Sequence, residues 1–420
     1  MIWRRSACRI VSVALLWLLI GPAVPAQETS EDASELLDAL LGALTGFGEV
    51  TDTQLQDEVA EIGGVRFRAP VPLEYLSRED ARRYLQEVFE SEYPPERAAA
   101  DRRTLVAFDL LPEETDLRAL RARLLEENIV GFYDERPGRR RLYAISREHR
   151  LTPMNQVVLA HELRHALQDQ YLDVHGLLPG DLGDFDDRRM ALLCLLEGDA
   201  TLLMQRFLGR RLPGTQANDA DLSALVAPEA ALPDTPEVVR EQLIEPYLAG
   251  QGFAQAVWRS GGWEALRSAW SRPPASTEQV LHPEKYLSGE APLEVAVGYQ
   301  PSSGRMLAEG VLGELFTRTL VGNAAAAEGW GGDRYRVWDV SGKTLLVWRS
   351  RWDSPRDVRE FLDAALARFQ RTHGPARAQS GWTVFVRGAW SVALAPRDGS
   401  VAMISSDDAA AFAAALHATR

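Results

Sequence analysis

His161-Glu162-Leu163-Arg164-His165 constrains this chain more than any other feature. On a helix, residues four apart share a face, so both imidazoles can reach one metal ion while Glu162 stands beside its open coordination position. That spacing suits zinc held by two nitrogens, with a carboxylate placed to take a proton from water. The flanking residues predict the helix. Thr152 and Pro153 read as N-cap and first helical residue, and Val157, Val158, Leu159, Leu163, Ala166 and Leu167 supply its buried side.

Zinc needs a third protein ligand. A metzincin would place a His six positions after His165, but Tyr171 stands there and His175 comes too late. Glu197 is the better candidate, because it is the conspicuous acid in the apolar stretch Met190 to Met204 and a lone buried charge needs a partner. A buried salt bridge at Glu197, or Asp199 as the ligand in its place, would satisfy the same pattern. The expected metal set is therefore His161, His165 and Glu197, holding one Zn²⁺ per chain, with Glu162 as general base.

That constellation resembles the thermolysin-type gluzincins, and more narrowly a group of exported zincin-like bacterial proteins. Four segments carry the resemblance: Gly131-Phe-Tyr-Asp134, His161 to Gln170, Leu196-Glu-Gly-Asp-Ala200, and Ser276 to Tyr286. It covers residues 62–290. It implies a zincin-like fold, peptide hydrolysis, and an oxyanion-stabilising imidazole or phenol downstream of the third ligand, for which His282 is the first choice and Tyr286 the second. One departure stands out: where those enzymes carry an Asp four positions after the ligand Glu, this chain has Thr201. The hydrogen bond that such an Asp gives the first His must come from elsewhere, and Asp199, two positions after Glu197, faces another way unless the helix breaks at Gly198.

Upstream, residues 129–134 and 141–145 flank a turn-forming Glu-Arg-Pro-Gly stretch and predict a β-hairpin, whose edge could pair with an extended peptide or serve only the fold. The N-terminus sets the compartment. Arg4, Arg5 and Arg9 precede an apolar run over residues 10–20 and Ala23-Val-Pro-Ala26, a secretory signal with cleavage expected after Ala26. The run is short for a membrane span, so stable membrane insertion after cleavage is not expected, although an uncleaved anchor would fit the same residues. Of two Cys, Cys8 lies in the signal, which leaves Cys194 alone as a small core residue and excludes an intrachain disulfide in the mature chain. Cleavage would remove three Arg and no acid, taking the formal charge from −14 to −17. So acidic a chain is a poor partner for nucleic acid or anionic lipid.

Organisation follows from composition shifts. After the signal (1–26), residues 27–61 read as an acidic linker or loosely held amphipathic segment, 62–290 as a mostly helical catalytic domain, and 291–420 as a C-terminal α+β domain. Helices are expected over 77–91, 116–127 and 236–270, and the Pro- and Gly-rich stretch 210–234 reads as a surface excursion, a candidate lid. Beyond 292, alternating strands at 334–340, 344–350, 382–387, 390–395 and 400–404, with helices at 354–372 and 407–417, predict an antiparallel sheet with its helices on one face. The fold class is α+β. The function expected is an exported zinc metallopeptidase acting on a peptide or protein substrate. An inactive zincin-scaffold binding protein of the cell envelope, or a zinc amidase acting on cell-wall peptide, would use the same residues.

Overall fold

Two long buried helices form the centre of the molecule. The computed structural model describes residues 12–13, 47–126, 131–146, 149–177, 183–211, 232 and 234–419. In chain order the elements are β1 (Ser12–Val13), α1 (Asp52–Ile62), β2 (Leu73–Leu76), α2 (Arg78–Glu92), α3 (Pro95–Ala107), α4 (Leu117–Glu126), β3 (Gly131–Asp134), β4 (Arg141–Ile145), α5 (Pro153–Leu172), α6 (Val174–Leu177), α7 (Asp187–Arg211) and α8 (Glu237–Ser271). There follow α9 (Thr277–Leu281), α10 (Pro283–Ser288), β5 (Arg305–Gly310), α11 (Gly313–Val321), β6 (Trp330–Val340), β7 (Lys343–Trp352), α12 (Pro355–His373), β8 (Arg377–Gln379), β9 (Trp382–Arg387), β10 (Trp390–Arg397), β11 (Ser400–Ser406) and α13 (Ala409–Ala418).

Helix α5 starts as its sequence predicts. Thr152 Oγ1 accepts from the Asn155 amide at 3.2 Å, Asn155 Oδ1 accepts from the Thr152 amide at 3.3 Å, and Pro153 fills the first turn. The expectation of one buried side was too modest: every residue from Met154 to Asp169 is buried. Polar side chains within that span must therefore find protein partners, or a ligand.

Helix α7 crosses α8 at a point where neither backbone leaves room for a side chain. A Cβ on Gly198 would lie 2.0 Å from the Gly250 carbonyl oxygen, and one on Gly250 would lie 2.2 Å from the Cys194 carbonyl oxygen. Only glycine permits that approach. Gly198→Ala should therefore destabilise by about 3 kcal/mol or more in urea unfolding, because the helices must part and repack. Gly252→Ala, on the same helix with open space around its Cβ, should gain roughly 0.5–1 kcal/mol from helix propensity. Equal effects of the two substitutions would contradict the crossing. Helix α8 itself is interrupted at Gly261 and Gly262, where the left-handed φ of 66° at Gly262 ends the regular turn expected to run on to residue 270.

A small sheet of order β1-β3-β4-β2 lies beside α5. The predicted hairpin is present as β3 and β4, antiparallel, with Phe132 opposite Tyr143. Its outer strand is not bare: Ser12 and Val13 pair antiparallel with Tyr133 and Phe132. Residues 1–11, 14–46, 212–231 and 233 lie outside the described residues, and with them the rest of the signal, most of the acidic segment and most of the candidate lid. Residues 52–61, read as linker, belong with Ile62 to the capped helix α1, whose Leu55, Val59 and Ile62 are buried in one cluster with Val157, Leu163 and Leu203. Helix α3 was not foreseen.

The C-terminal sheet is antiparallel, seven-stranded and ordered β5-β6-β7-β11-β10-β9-β8. Its helices do not share one face, contrary to expectation. Leu346, Trp348, Leu394 and Met403 face Phe361, Ala365 and Phe369 of α12, whereas Leu345, Val347, Ala393 and Ile404 face Phe412, Ala415 and Leu416 of α13. The strands are apolar on both sides, so both faces need cover. The first face continues without a break into the helical half. Phe108, at the end of α3, packs edge-on against Tyr335 and Trp348, and Arg103 reaches Asp339 at 2.5 Å and Thr344 at 2.9 Å. Among the described residues no helix is long and apolar enough to cross a membrane.

Candidate metal centre

His161, His165 and Glu197 meet where α5 packs on α7, all three buried. His161 Nε2 lies 3.0 Å from His165 Nε2 and 3.1 Å from Glu197 Oε2, and His165 Nε2 lies 3.3 Å from the same oxygen. Tetrahedral zinc with bonds of about 2.0–2.1 Å sets its ligand atoms roughly 3.3 Å apart. The three atoms thus fit one face of such a tetrahedron, and the donor set of two imidazoles and a carboxylate suits zinc. Burial opposes ionisation of Glu197, yet the two imidazoles hold its carboxyl far below the usual range. Burial would likewise lower His165, but the Glu197 carboxylate outweighs it and pushes the imidazole up to about 9, while burial keeps His161 below its ordinary value. A dication bound at the cluster would compete with protons for the two imidazoles and the carboxylate.

Glu162 is wholly buried, and its Oε2 accepts from the Tyr133 backbone amide of β3 at 2.9 Å. The strand therefore aims the carboxylate. Tyr247 of α8 stacks on His161, ring centroids 6.1 Å apart and planes 27° apart. It lies one turn before Gly250, so the close helix crossing sets its position. Sequence reading missed it, since a Tyr after an in-helix Pro246 gives no signal of its own.

Asp199 is not part of the metal set. Helix α7 runs through Gly198 unbroken, and Gly198 faces α8. Its neighbours Glu197 and Asp199, each turned about 100° from it, straddle α5. Asp199 forms a fork with Arg164, 2.9 Å for both Nε–Oδ2 and Nη2–Oδ1, and Oδ2 also accepts from Trp270 Nε1 at 2.9 Å and Gln168 Nε2 at 3.0 Å. Gln168 in turn meets His165 Nδ1 at 2.8 Å. Thr201 does not hold the first His as an Asp at its position would, because Thr201 Oγ1 and His161 Nδ1 are each buried without a hydrogen-bond partner among the described residues. Arg164 and Gln168 were legible only as polar residues four apart on a buried helix, a pattern that demands partners without naming them.

The structure does not bring His282 or Tyr286 to this cluster. His282 Nε2 meets Glu314 Oε1 at 3.0 Å, and the Tyr286 hydroxyl donates to the Arg272 carbonyl at 2.8 Å. Glu314 follows Gly313, which abuts Asp187 at the start of α7. Asp187 precedes Glu197 by ten residues, or about 15 Å of helix. The Glu314 hydrogen bond raises the imidazole of His282 above its ordinary 6.5. His282→Ala should therefore leave metal content unchanged and cost about 1–3 kcal/mol of stability, since it strips one partner from a buried carboxylate. An imidazole raised by its partner contributes fully below pH 6.5 and loses that contribution as pH rises through the raised value. The difference from wild type in urea unfolding should accordingly shrink in alkaline buffer; a difference that widens would refute the ion pair.

A second acidic group, Glu278, Glu290 and Asp353, encloses the Lys285 ammonium at 2.6, 3.0 and 2.8 Å. The lysine already supplies the cation there.

Fold and centre together define a class: an α+β protein with a buried two-imidazole, one-carboxylate cluster between two central helices. Residues 281–419 match the model of a domain of unknown function, DUF8575. No curated protein and no solved structure matches the chain. The matched segment includes His282 and Tyr286 and stops short of every residue in the cluster.

Proposed function

We propose that the chain is an exported zinc metallopeptidase of the gluzincin kind, with a zincin-like helical half. The observation that carries this reading is the near-equilateral set of His161 Nε2, His165 Nε2 and Glu197 Oε2 beside a carboxylate held by a strand amide. Zinc bound there would supply a Lewis acid able to bring a water's pKa to about 7. Glu162 then accepts the water's proton and passes it to the leaving amine. Tyr133, through its backbone N–H, keeps that carboxylate directed while its charge changes. An extended peptide would lie along the outer edge of β3, where Ser12 and Val13, part of the segment expected to leave with the signal, now pair. A purely structural metal site has no use for a base in that position, which favours an enzyme over a binding scaffold.

The test is a proteome-derived peptide digest exposed to purified mature protein, with and without a zinc chelator. Cleavage that stops on chelation and returns with zinc supports the proposal. Zinc-loaded protein that leaves every peptide intact overturns the peptidase reading.

A further inference from the structure

Hydrogen bonding behind His165 leads outward in one direction. Gln168 has two polar ends, and its Nε2 lies 3.0 Å from both the Leu196 carbonyl oxygen and Asp199 Oδ2. Both partners can only accept, so the end that faces them must be the amide NH₂. Its Oε1 therefore faces His165 Nδ1, 2.8 Å away, and that nitrogen must be the donor. With the proton fixed on Nδ1, the lone pair of the neutral ring lies on Nε2, which faces His161 and Glu197.

Gln168 is itself held. Asp199 cannot turn, because Arg164 grips both its oxygens and Trp270 Nε1 donates to one of them. Arg164 is wholly buried between two indoles, with its guanidinium carbon 4.9 Å from the Trp263 ring centroid and 4.7 Å from that of Trp270. A second Arg contact, Nη1 to the Gly63 carbonyl at 3.4 Å, ties the assembly to the end of α1. The charges of Arg164 and Asp199 cancel, so His165 meets a neutral amide dipole rather than a carboxylate. His161 has no equivalent among the described residues, where its Nδ1 finds no partner.

The geometry points to Gln168, backed by Asp199 and Arg164, as the positioning device that fixes the tautomer and direction of His165 for a bound metal. This rests on the metal-centre reading above and adds residues to it. Arg164, Gln168 and Asp199 are not themselves among the residues that would hold the metal; they act through His165. A partner of this kind behind a metal-binding imidazole is typically worth 10- to 100-fold in metal affinity. A side chain serving the fold alone would alter unfolding and leave the affinity of the folded protein where it was.

The experiment compares zinc dissociation constants of folded wild type and Gln168→Leu by competition with a chromophoric chelator. Nitrogen-15 spectra of the histidines in the zinc-loaded proteins are recorded alongside. Expected are a 10- to 100-fold weaker constant for the variant and a His165 Nδ1 proton that is sharp and slow to exchange only in wild type. Zinc affinities within about twofold, or an unchanged Nδ1 proton, would overturn the proposal while leaving the metal centre intact. Wild type without zinc affinity would overturn both. If Gln168→Leu does not fold, Gln168→Met, which keeps the length of the side chain but offers Nδ1 no amide oxygen, decides on the same two readings. A zinc constant at least about tenfold weaker together with loss of the slowly exchanging Nδ1 proton supports the device, and anything less refutes it.

Discussion

Glu162→Gln is expected to fold, to bind zinc as wild type does, and to lose roughly 10²- to 10⁴-fold in kcat, the contribution typical of a positioned general base. The amide nearly matches the carboxylate in shape, and its oxygen can still accept from the Tyr133 N–H that holds Glu162 Oε2 at 2.9 Å. What it cannot do is take a proton from water. Because the position is completely buried, bulk water is a poor substitute for the missing base. Turnover of a sensitive peptide by both proteins, at matched metal content, decides the matter. Equal rates would show that Glu162 is not the base.

The second large effect concerns metal. Wild type purified without chelator should carry close to one zinc per chain, and His161→Ala should carry almost none, since the two protein ligands that remain are too few for a stable site. Mass action gives an independent reading. Free zinc at a thousandfold above its dissociation constant stabilises a folded protein by about 4 kcal/mol, so added zinc should raise the wild-type melting temperature and leave that of His161→Ala unmoved. Elemental analysis and a thermal scan suffice. Wild-type protein with no affinity for any divalent transition metal would remove the basis of the assignment.

What could be read from the chain and what could not divide along physical lines. The pairing of His161 with His165 was legible because it is local: two His one turn apart need only a helix, and Thr152 with Pro153 announces that helix. Glu197 was legible as a charge in an apolar run that had to be answered. The Asp199 fork was not, because the direction in which residues 197 and 199 point depends on which side of α7 meets α8, and Gly198 settles that only when Gly250 is placed against it. His282 misled for the opposite reason. Its segment is dense in polar residues, but their partners Glu314 and Asp353 come from later in the chain, where no motif points back. The strands of the C-terminal half were readable by alternation. Their two-sided burial, which puts α12 and α13 on opposite faces, shows in the apolar runs of β10 and β11 only in hindsight.

Phe108 against Trp348 has a bearing on how the chain can be cut. The family model begins at residue 281, which invites expression of that segment by itself. Yet the face of the sheet lined by Leu346, Trp348 and Met403 is closed partly by α3, from far upstream. Severed there, the fragment would present indole and aliphatic surface to water, and the helical half would lose the wall against which α3 rests. The packing of Phe108 on Trp348 therefore predicts that the segment from residue 281 onward is less soluble by itself than with both halves on one polypeptide.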